Sequence, residues 1–352
     1  GMVHGVRLRG GRAEWYRNRW VRGGRLAAAL GEAPPVGRSF GDRDFGPNTS
    51  VGGFAGKTWA MVEAGGTPMT LTYELDTIGY DGFDGTLPAA FTAHPMMDPA
   101  TGDLHAVCYA YPELPDRLQH VVVGGDGRVS SVTDIPVEGM PMVHNMSLTE
   151  RFVLLYDLPV CVDIEMAMGG SSFPFSWNPD HPARVGLLPR GGTADQVVWC
   201  EAPQCYVFHP VNAYDDDGSV VVDLCRYDRM FDTDRLGPAG DSAPVLARWV
   251  VDGTTGTVNE TILDDRPHEF PTHDPRVGAR RHRYAYTADG LELGPTHRVD
   301  VETGDTVTHD HGEGRFGAEP LLVPKDGSTA EGVGWVLVCV NDRGGGPAEL
   351  VV

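Results

Sequence analysis

The sequence is short of basic residues, of paired cysteines and of long apolar runs. Its 352 residues contain 28 Lys and Arg against 49 Asp and Glu, which gives a net charge of −21 at pH 7. Because so acidic a chain repels phosphate backbones, nucleic acid is excluded as the main partner. No segment approaches the ~18 consecutive apolar residues that a transmembrane helix needs, so the sequence predicts no membrane-spanning helix.

The six cysteines lack the Cys-x-x-Cys spacing of common metal and redox sites. Each lies beside apolar residues, which favours reduced, buried thiols in a reducing compartment: Cys108, Cys161, Cys200, Cys205, Cys225 and Cys339. A disulfide between Cys200 and Cys205, which flank a proline in CEAPQC, stays open as the alternative. The start of the chain shows no secretory leader, so we expect a cytoplasmic protein. Peripheral contact with a membrane stays open, because negative charge disfavours only anionic surfaces.

The sequence is rich in glycine (46) and proline (27) and in short stretches where apolar and polar residues alternate. The opening segment predicts strand–turn–strand, and RGGRLAAALGE at 22–32 predicts one short helix that ends at glycine. Turns that combine Asp with Gly, most of them with Thr-Gly, recur along the chain: DPATGD (98–103), GGDGRV (124–129), DGTTGT (252–257) and DVETGD (300–305). In such turns glycine supplies φ > 0, and the aspartate side chain bonds the local backbone.

The repeated hairpins predict an all-β fold in a single domain, 1–352. Eight or more hairpin-like units exceed what one β-sandwich usually holds. The favoured architecture is therefore a β-propeller, in which similar antiparallel sheets repeat around an axis.

Three of the thirteen histidines stand out by their context. His94 in FTAHPMMDP, His144 in PMVHNMSLTERF and His209 in CYVFHPVNAYDD each follow an apolar, strand-like run and precede a polar change. Their separations of 50 and 65 residues match about one propeller blade of four short strands. Because equivalent positions on successive blades converge on the axis, these imidazoles can meet at one metal ion. The other histidines have the context of core, surface or turn residues, including His309 and His311 in HDHGEG, where a polar turn is favoured over a small metal site.

Three glutamates are candidates to support these imidazoles. A metal-bound imidazole generally donates its other ring nitrogen to a carboxylate or carbonyl, which fixes its tautomer. Glu63 in AMVEAGG, Glu269 in PHEFPTHDPR and Glu319 in RFGAEPLLVP each lie in apolar, strand-like context. A carboxylate in such a place needs a partner to offset its desolvation.

At these residues the chain resembles the carotenoid cleavage oxygenase family, which includes retinal pigment epithelial membrane protein-like and stilbene-cleaving members. The segments FTAHPMMDPATGDLHAVCY, MVHNMSLTERFVLLYDLPV and CYVFHPVNAYDDDGSVVVDLCRYDRMF are similar to those that carry the family's iron histidines. WAMVEAGGTPMTL, HEFPTHDPRVGARRHRYAY and GRFGAEPLLVP are similar to those that supply its supporting glutamates. The likeness runs in order over essentially the whole chain.

The resemblance implies a seven-bladed propeller with loops that form a dome over one face, and Fe(II) held on the axis by four histidines. His94, His144 and His209 match three of them, and the fourth is expected beyond Val352. The family's own N- and C-terminal segments have no counterpart in the sequence. Glu63, Glu269 and Glu319 match glutamates that hydrogen-bond three of the histidines. The implied reaction uses O2 to split one C=C bond of a carotenoid or apocarotenoid into two carbonyl products, without an organic cofactor.

Two alternatives to this function stay open. Stilbene-cleaving relatives tend to carry Lys immediately before the first supporting glutamate, and Val62 occupies that position here. An apolar residue favours a carotenoid-like substrate over a phenolic stilbene, although one side chain rarely settles specificity. A non-catalytic propeller that binds an apolar ligand is the alternative from another class.

Overall fold

The computed structural model describes residues 1–40, 46–235, 240–290 and 293–352. The chain divides into two compact units, which we describe separately. Unit 1 comprises Gly1–Met97 and Thr101–Glu138, and unit 2 comprises Asp98–Ala100 and Gly139–Val352. Strands dominate both units, and the described helices are few and short.

Unit 1 consists of one hairpin and two four-stranded antiparallel sheets. The hairpin pairs β1 (Met2–Arg9) with β2 (Arg12–Trp20), as the opening segment predicts, and helix α1 (Gly24–Leu30) follows it. The first sheet contains β3 (Ser50–Phe54), β4 (Lys57–Met61), β5 (Met69–Leu71) and β6 (Thr77–Tyr80). The second contains β7 (Met96–Met97), β8 (Leu104–Ala110), β9 (Leu114–Val123) and β10 (Val129–Pro136). Every residue of β8 is buried, so this strand forms part of the core.

Unit 2 begins with an eight-stranded sheet made of two antiparallel halves. One half contains β11 (Met146–Leu148), β12 (Phe152–Asp157), β15 (Arg184–Pro189) and β16 (Val198–Glu201). The other contains β17 (Tyr206–Asp216), β18 (Ser219–Tyr227), β19 (Val245–Asp252) and β20 (Thr257–Pro267). A single parallel pairing, Glu201 with Thr257, joins the halves. A small hairpin, β13 (Val160–Val162) with β14 (Phe175–Trp177), encloses helix α2 (Ile164–Met168).

Two further sheets complete unit 2. One contains β21 (Glu269–Thr272), β22 (Tyr284–Ala288), β23 (Thr296–Asp300) and β24 (Thr306–His309). The other is formed by β25 (Arg315–Gly317), β26 (Leu321–Pro324), β27 (Gly334–Asp342) and β28 (Glu349–Val351). Two 3₁₀ turns, Ala194–Gln196 and Pro275–Val277, are the remaining described helical segments.

The recurring turns have the predicted structure. In DGTTGT the Asp252 carboxylate accepts the backbone N–H of Thr254 at 2.8 Å, and Gly256 has φ +72°. In DVETGD the Asp300 carboxylate accepts the N–H of Glu302, and Gly304 has φ +78°. These local bonds stabilise tight turns between neighbouring strands, which is why the sequence alone locates them.

The all-β prediction is confirmed, and the four-stranded antiparallel sheets are of the kind that forms propeller blades. The seven-blade count and the single domain stay predictions. The six cysteines are free thiols, five of them buried and Cys339 half-buried, so the Cys200–Cys205 disulfide is not formed. Among the described residues, neither helix is long and apolar enough to cross a membrane.

Replacing Asp241 with asparagine should lower the free energy of unfolding by about 1 kcal/mol at pH 7, after allowance for solvent screening. The Asp241 carboxylate accepts the N–H groups of Asp232 at 2.8 Å and Thr233 at 2.9 Å. Burial by itself raises its pKa, but the Thr233 hydroxyl and the backbone N–H groups outweigh this and lower the pKa to about 2.

Because this pKa is depressed in the folded state, the stability from Asp241 is present above the unfolded value of about 3.9 and is lost as the pH falls towards 2. Urea unfolding of wild type and D241N between pH 7 and 2 measures it, with exposed Asp326→Asn as the unchanged control. A stability difference that stays constant over this range would contradict the assignment.

Candidate metal centre

His209 is directed by an irregular stretch of β17. The pairing of β17 with β18 shifts register between Val207 and Pro210 and again between Pro210 and Asn212. Pro210 has no backbone N–H to donate to the ladder, so the strand cannot pair regularly there. Bulges of this kind change the direction of a side chain and are common beside functional sites. As a result His209 projects to Glu269 of the neighbouring sheet.

Glu269 forms a hydrogen bond with the Nδ1 edge of this imidazole. Its Oε2 lies 2.6 Å from His209 Nδ1, and its side chain is fully buried. The same oxygen accepts the backbone N–H of Phe270, whose φ of +48° is unusual for a residue with a side chain. A carboxylate acceptor at Nδ1 places the proton there, so the neutral ring presents the Nε2 lone pair in the opposite direction.

The Nε2 atom of His144 lies close to the Nε2 atom of His209. His144 lies immediately before β11, and its Nε2 is 3.0 Å from His209 Nε2. Burial lowers the pKa of His144 well below its ordinary value, and the proximity of the His209 ring adds to this, although Glu269 acts in the opposite direction. The His144 ring is therefore neutral at neutral pH, which is the form that binds a metal ion.

In unit 1, His94 lies in the segment before β7, and Glu63 follows β4. The distance from His94 Nε2 to Glu63 Oε1 is 3.5 Å, and both side chains are largely buried. Glu63 Oε2 accepts the Tyr109 hydroxyl at 3.1 Å. The unit thus contains a second imidazole with a carboxylate beside it.

Within unit 2, His144 and His209 form a pair of potential metal ligands whose Nε2 atoms lie 3.0 Å apart. The His144–His209 spacing within unit 2 fits such a role. Two nitrogens bound at right angles to one ion, each at ~2.1 Å, are about 3.0 Å apart. Neutral imidazoles suit iron, zinc and copper in their divalent states. The His144–His209 pair therefore has the spacing and the donor atoms of two ligands to one first-row metal ion.

Glu319 differs from the other two glutamates. Burial raises the pKa of its carboxyl, the proximity of the His209 ring lowers it, and the Glu269 carboxylate raises it. This places Glu319 within electrostatic range of the His209–Glu269 pair. In the described part of unit 2, however, it makes no hydrogen bond to His144 or His209. HDHGEG contributes no ligand to the cluster: His309 is exposed, and His311 Nε2 bonds Thr296.

Sequence reasoning missed the aromatic side chains around the pair. The ring of Phe208 lies 4.6 Å from that of His144, and the ring of Phe270 lies 5.3 Å from that of His209, centroid to centroid. Both phenylalanines are adjacent in sequence to a site residue, which is the only signal that could have indicated them. Their apolar surfaces limit the access of water to the imidazoles.

Comparison with known proteins identifies relatives over the whole chain. The sequence profile of the family described as "Retinal pigment epithelial membrane protein" matches residues 1–352. A carotenoid cleavage oxygenase of Mycobacterium tuberculosis is 40% identical over 396 residues, covering 95% of this chain and 78% of that protein. A carotenoid 9,10(9',10')-cleavage dioxygenase of Arabidopsis thaliana is 26% identical, covering 100% of this chain and 74% of that protein.

A solved structure has the same fold. The crystal structure of Pseudomonas brassicacearum lignostilbene dioxygenase superposes with a TM-score of 0.89 at 26% identity. The match covers 99% of this chain and 80% of that one.

Proposed function

Because the chain belongs to the retinal pigment epithelial membrane protein family, whose relatives include carotenoid cleavage oxygenases, we propose that it is an Fe(II)-dependent dioxygenase. Its substrate is a carotenoid or apocarotenoid, and O2 is the second reactant. One C=C bond is broken, and each of its carbons gains one oxygen atom from O2, so the products are two carbonyl compounds. The observation that carries the proposal is the 3.0 Å approach of His144 and His209 beside the buried Glu269 carboxylate.

We assign iron to His94, His144 and His209. When bound, Fe(II) would supply the activation of O2 that an alkene by itself cannot provide. The donor set supports this choice, because neutral imidazoles without a charged ligand leave the ion dipositive. Glu269 also supports the assignment of iron, because a ligating histidine normally has a hydrogen-bond acceptor at its other ring nitrogen.

The roles of the chain's own residues follow from the geometry. His144 and His209 present their Nε2 atoms to one point, and Glu269 keeps the His209 proton on Nδ1. Phe208 and Phe270 cover the imidazoles and limit the access of water. The reaction needs no proton transfer overall, so we assign Glu63, Glu269 and Glu319 to orientation and basicity of the ligands rather than to acid–base catalysis.

The substrate class is argued from Val62 and from the relatives. Val62 precedes Glu63 and is 7% exposed, so the segment presents no cation there to a phenolic oxygen. An apolar polyene needs none. Such a substrate partitions into lipid, and peripheral membrane contact of a cytoplasmic protein is therefore part of the proposal.

Oxygen uptake tests the assignment directly. The protein, loaded anaerobically with Fe(II), should consume one O2 per molecule of an apocarotenal cleaved, and mass spectrometry should find two carbonyl products. With 18O2 both products should carry label. Tight binding of the apocarotenal without O2 uptake would contradict catalysis and support a module that binds an apolar ligand.

Stilbene cleavage is the second candidate, favoured by the similarity to the lignostilbene dioxygenase. A hydroxystilbene in the same assay distinguishes the two. Turnover of the hydroxystilbene with none of the apocarotenal would transfer the assignment to phenylpropenoid cleavage.

A further inference from the structure

The Glu269 carboxylate is held at both oxygens. Oε2 accepts His209 Nδ1–H at 2.6 Å and the backbone N–H of Phe270. Oε1 accepts the hydroxyl of Tyr227 at 3.0 Å. Both Glu269 and Tyr227 have an exposed fraction of 0%. The hydroxyl therefore acts on a charged group that water does not reach.

The packing and the pKa of Tyr227 favour its role as the donor of this hydrogen bond. Tyr227 ends β18, where it pairs with Tyr206 of β17, and its ring meets Phe208 edge-on at 5.9 Å. Burial and the charge of Glu269 raise the pKa of Tyr227 far above its ordinary value. The hydroxyl therefore keeps its proton, which it donates to Glu269 Oε1.

A second anchor matters because of how a carboxylate rotates. A glutamate held at Oε2 alone can turn about its last carbon–carbon bond, and this turns the lone pair away from the imidazole N–H. A hydrogen bond to Oε1 stops that rotation, since both oxygens then have fixed directions. Hydrogen bonds to charged groups are stronger than neutral ones, so the restraint is effective. In unit 1 a tyrosine hydroxyl bonds a carboxylate in the same way, from Tyr109 to Glu63.

We propose that Tyr227 is a positioning residue of the metal centre, which acts through Glu269 to hold the His209 imidazole in its ligating orientation. It touches neither metal nor substrate. The inference rests on the proposed function, because it requires His209 to be a ligand. Its effect is expected on metal affinity and on the ligand field rather than on the fold.

Tyr227→Phe removes only the hydroxyl. Co(II) is the probe, because its visible absorption reports the geometry of its ligands and it is stable in air. Y227F should bind Co(II) about tenfold more weakly than wild type, the lower end of the range for residues that support a ligand. Its Co(II) spectrum should differ from that of wild type.

Tyr156→Phe is the matched control. Tyr156 is also buried, and its hydroxyl bonds the neutral Ser147 at 2.7 Å. Y156F should bind Co(II) with the wild-type affinity, within about twofold, and should give the wild-type Co(II) spectrum. This expectation holds even if Y156F melts at a different temperature. A double-variant cycle adds specificity, because the loss of affinity in the Y227F/E269Q protein should be smaller than the sum of the two single losses.

The outcomes separate the two proposals. Wild type that binds no Co(II) overturns the metal centre and this inference with it. Wild type that binds Co(II), together with Y227F of unchanged affinity and spectrum, overturns the role of Tyr227 alone. If Y227F does not fold, Tyr227→Met fills most of the volume without a hydroxyl and is measured against the same expectation.

Discussion

Replacing His144 with alanine should abolish stoichiometric iron binding and lower turnover at least about 1000-fold, which corresponds to about 4 kcal/mol of lost transition-state stabilisation. The reason is the geometry of the pair. His144 Nε2 and His209 Nε2 lie 3.0 Å apart, so both present a lone pair to the same point. Without His144 the ion loses a neutral donor that no neighbouring side chain supplies in the described part of unit 2.

The fold should survive this substitution. The low pKa of the His144 imidazole keeps it neutral. Removal of this side chain therefore leaves a cavity but no buried unpaired charge. The expected loss of stability is about 2–3 kcal/mol, within the range for truncating a large buried side chain. Circular dichroism and a melting curve verify that H144A is folded before its metal content is interpreted.

Elemental analysis against protein concentration is the measurement, made on protein loaded anaerobically with Fe(II). Wild type should contain about one iron per chain and H144A none. Exposed His309, in the HDHGEG turn, gives the matched control His309→Ala, which should keep the wild-type iron content. Iron retained in H144A at the wild-type level would exclude His144 as a ligand, and iron-free wild type would favour a binding module.

Glu269→Gln should weaken iron binding about 10- to 100-fold and reduce turnover to a similar degree. Glutamine has the same size, but its amide oxygen accepts the His209 Nδ1–H more weakly than a carboxylate does. The remaining amide NH2 can donate to the Tyr227 hydroxyl, whose oxygen can accept. The amide therefore keeps a partner on both sides, while the Tyr227 hydroxyl changes from donor to acceptor, and the protein should fold.

Competition with a chelator measures the affinity of E269Q, and oxygen uptake measures its turnover. Glu260→Gln is the control, because Glu260 is also a largely buried carboxylate, bonded to Trp249 Nε1 at 2.7 Å and paired with Arg226. It should change stability without changing iron affinity. Unchanged affinity in E269Q would show that the carboxylate does not support the ligand.

The local part of the fold could be predicted because its causes are local. The turns at 252–257 and 300–305 each depend on one aspartate and one glycine with positive φ, and both residue types are visible in the sequence. Helix α1 ends at Gly31, which has φ +71°, as its pattern predicts. Alternation of apolar and polar residues identified the hairpins, since strand side chains alternate between faces.

The candidate site was predicted in part. Sequence context and family resemblance together selected His94, His144 and His209, and the same two arguments selected the glutamates. Nothing in the sequence distinguished Glu269, which bonds an imidazole at 2.6 Å, from Glu319, which makes no such bond to His144 or His209 in the described part of unit 2. The difference depends on which strands lie side by side, and that is a long-range property.

The sequence by itself therefore determined the strand-and-turn character of the chain and its reduced cysteines, and it predicted a set of imidazoles as metal ligands. Only the tertiary structure decided how these imidazoles are held. The bulge at Pro210, the positive φ of Phe270 and the hydroxyl of Tyr227 all act on one pair, His209 and Glu269, which are 60 residues apart. A strand pattern gives the face on which a side chain lies, whereas the partner that it meets is set by the packing of separate sheets.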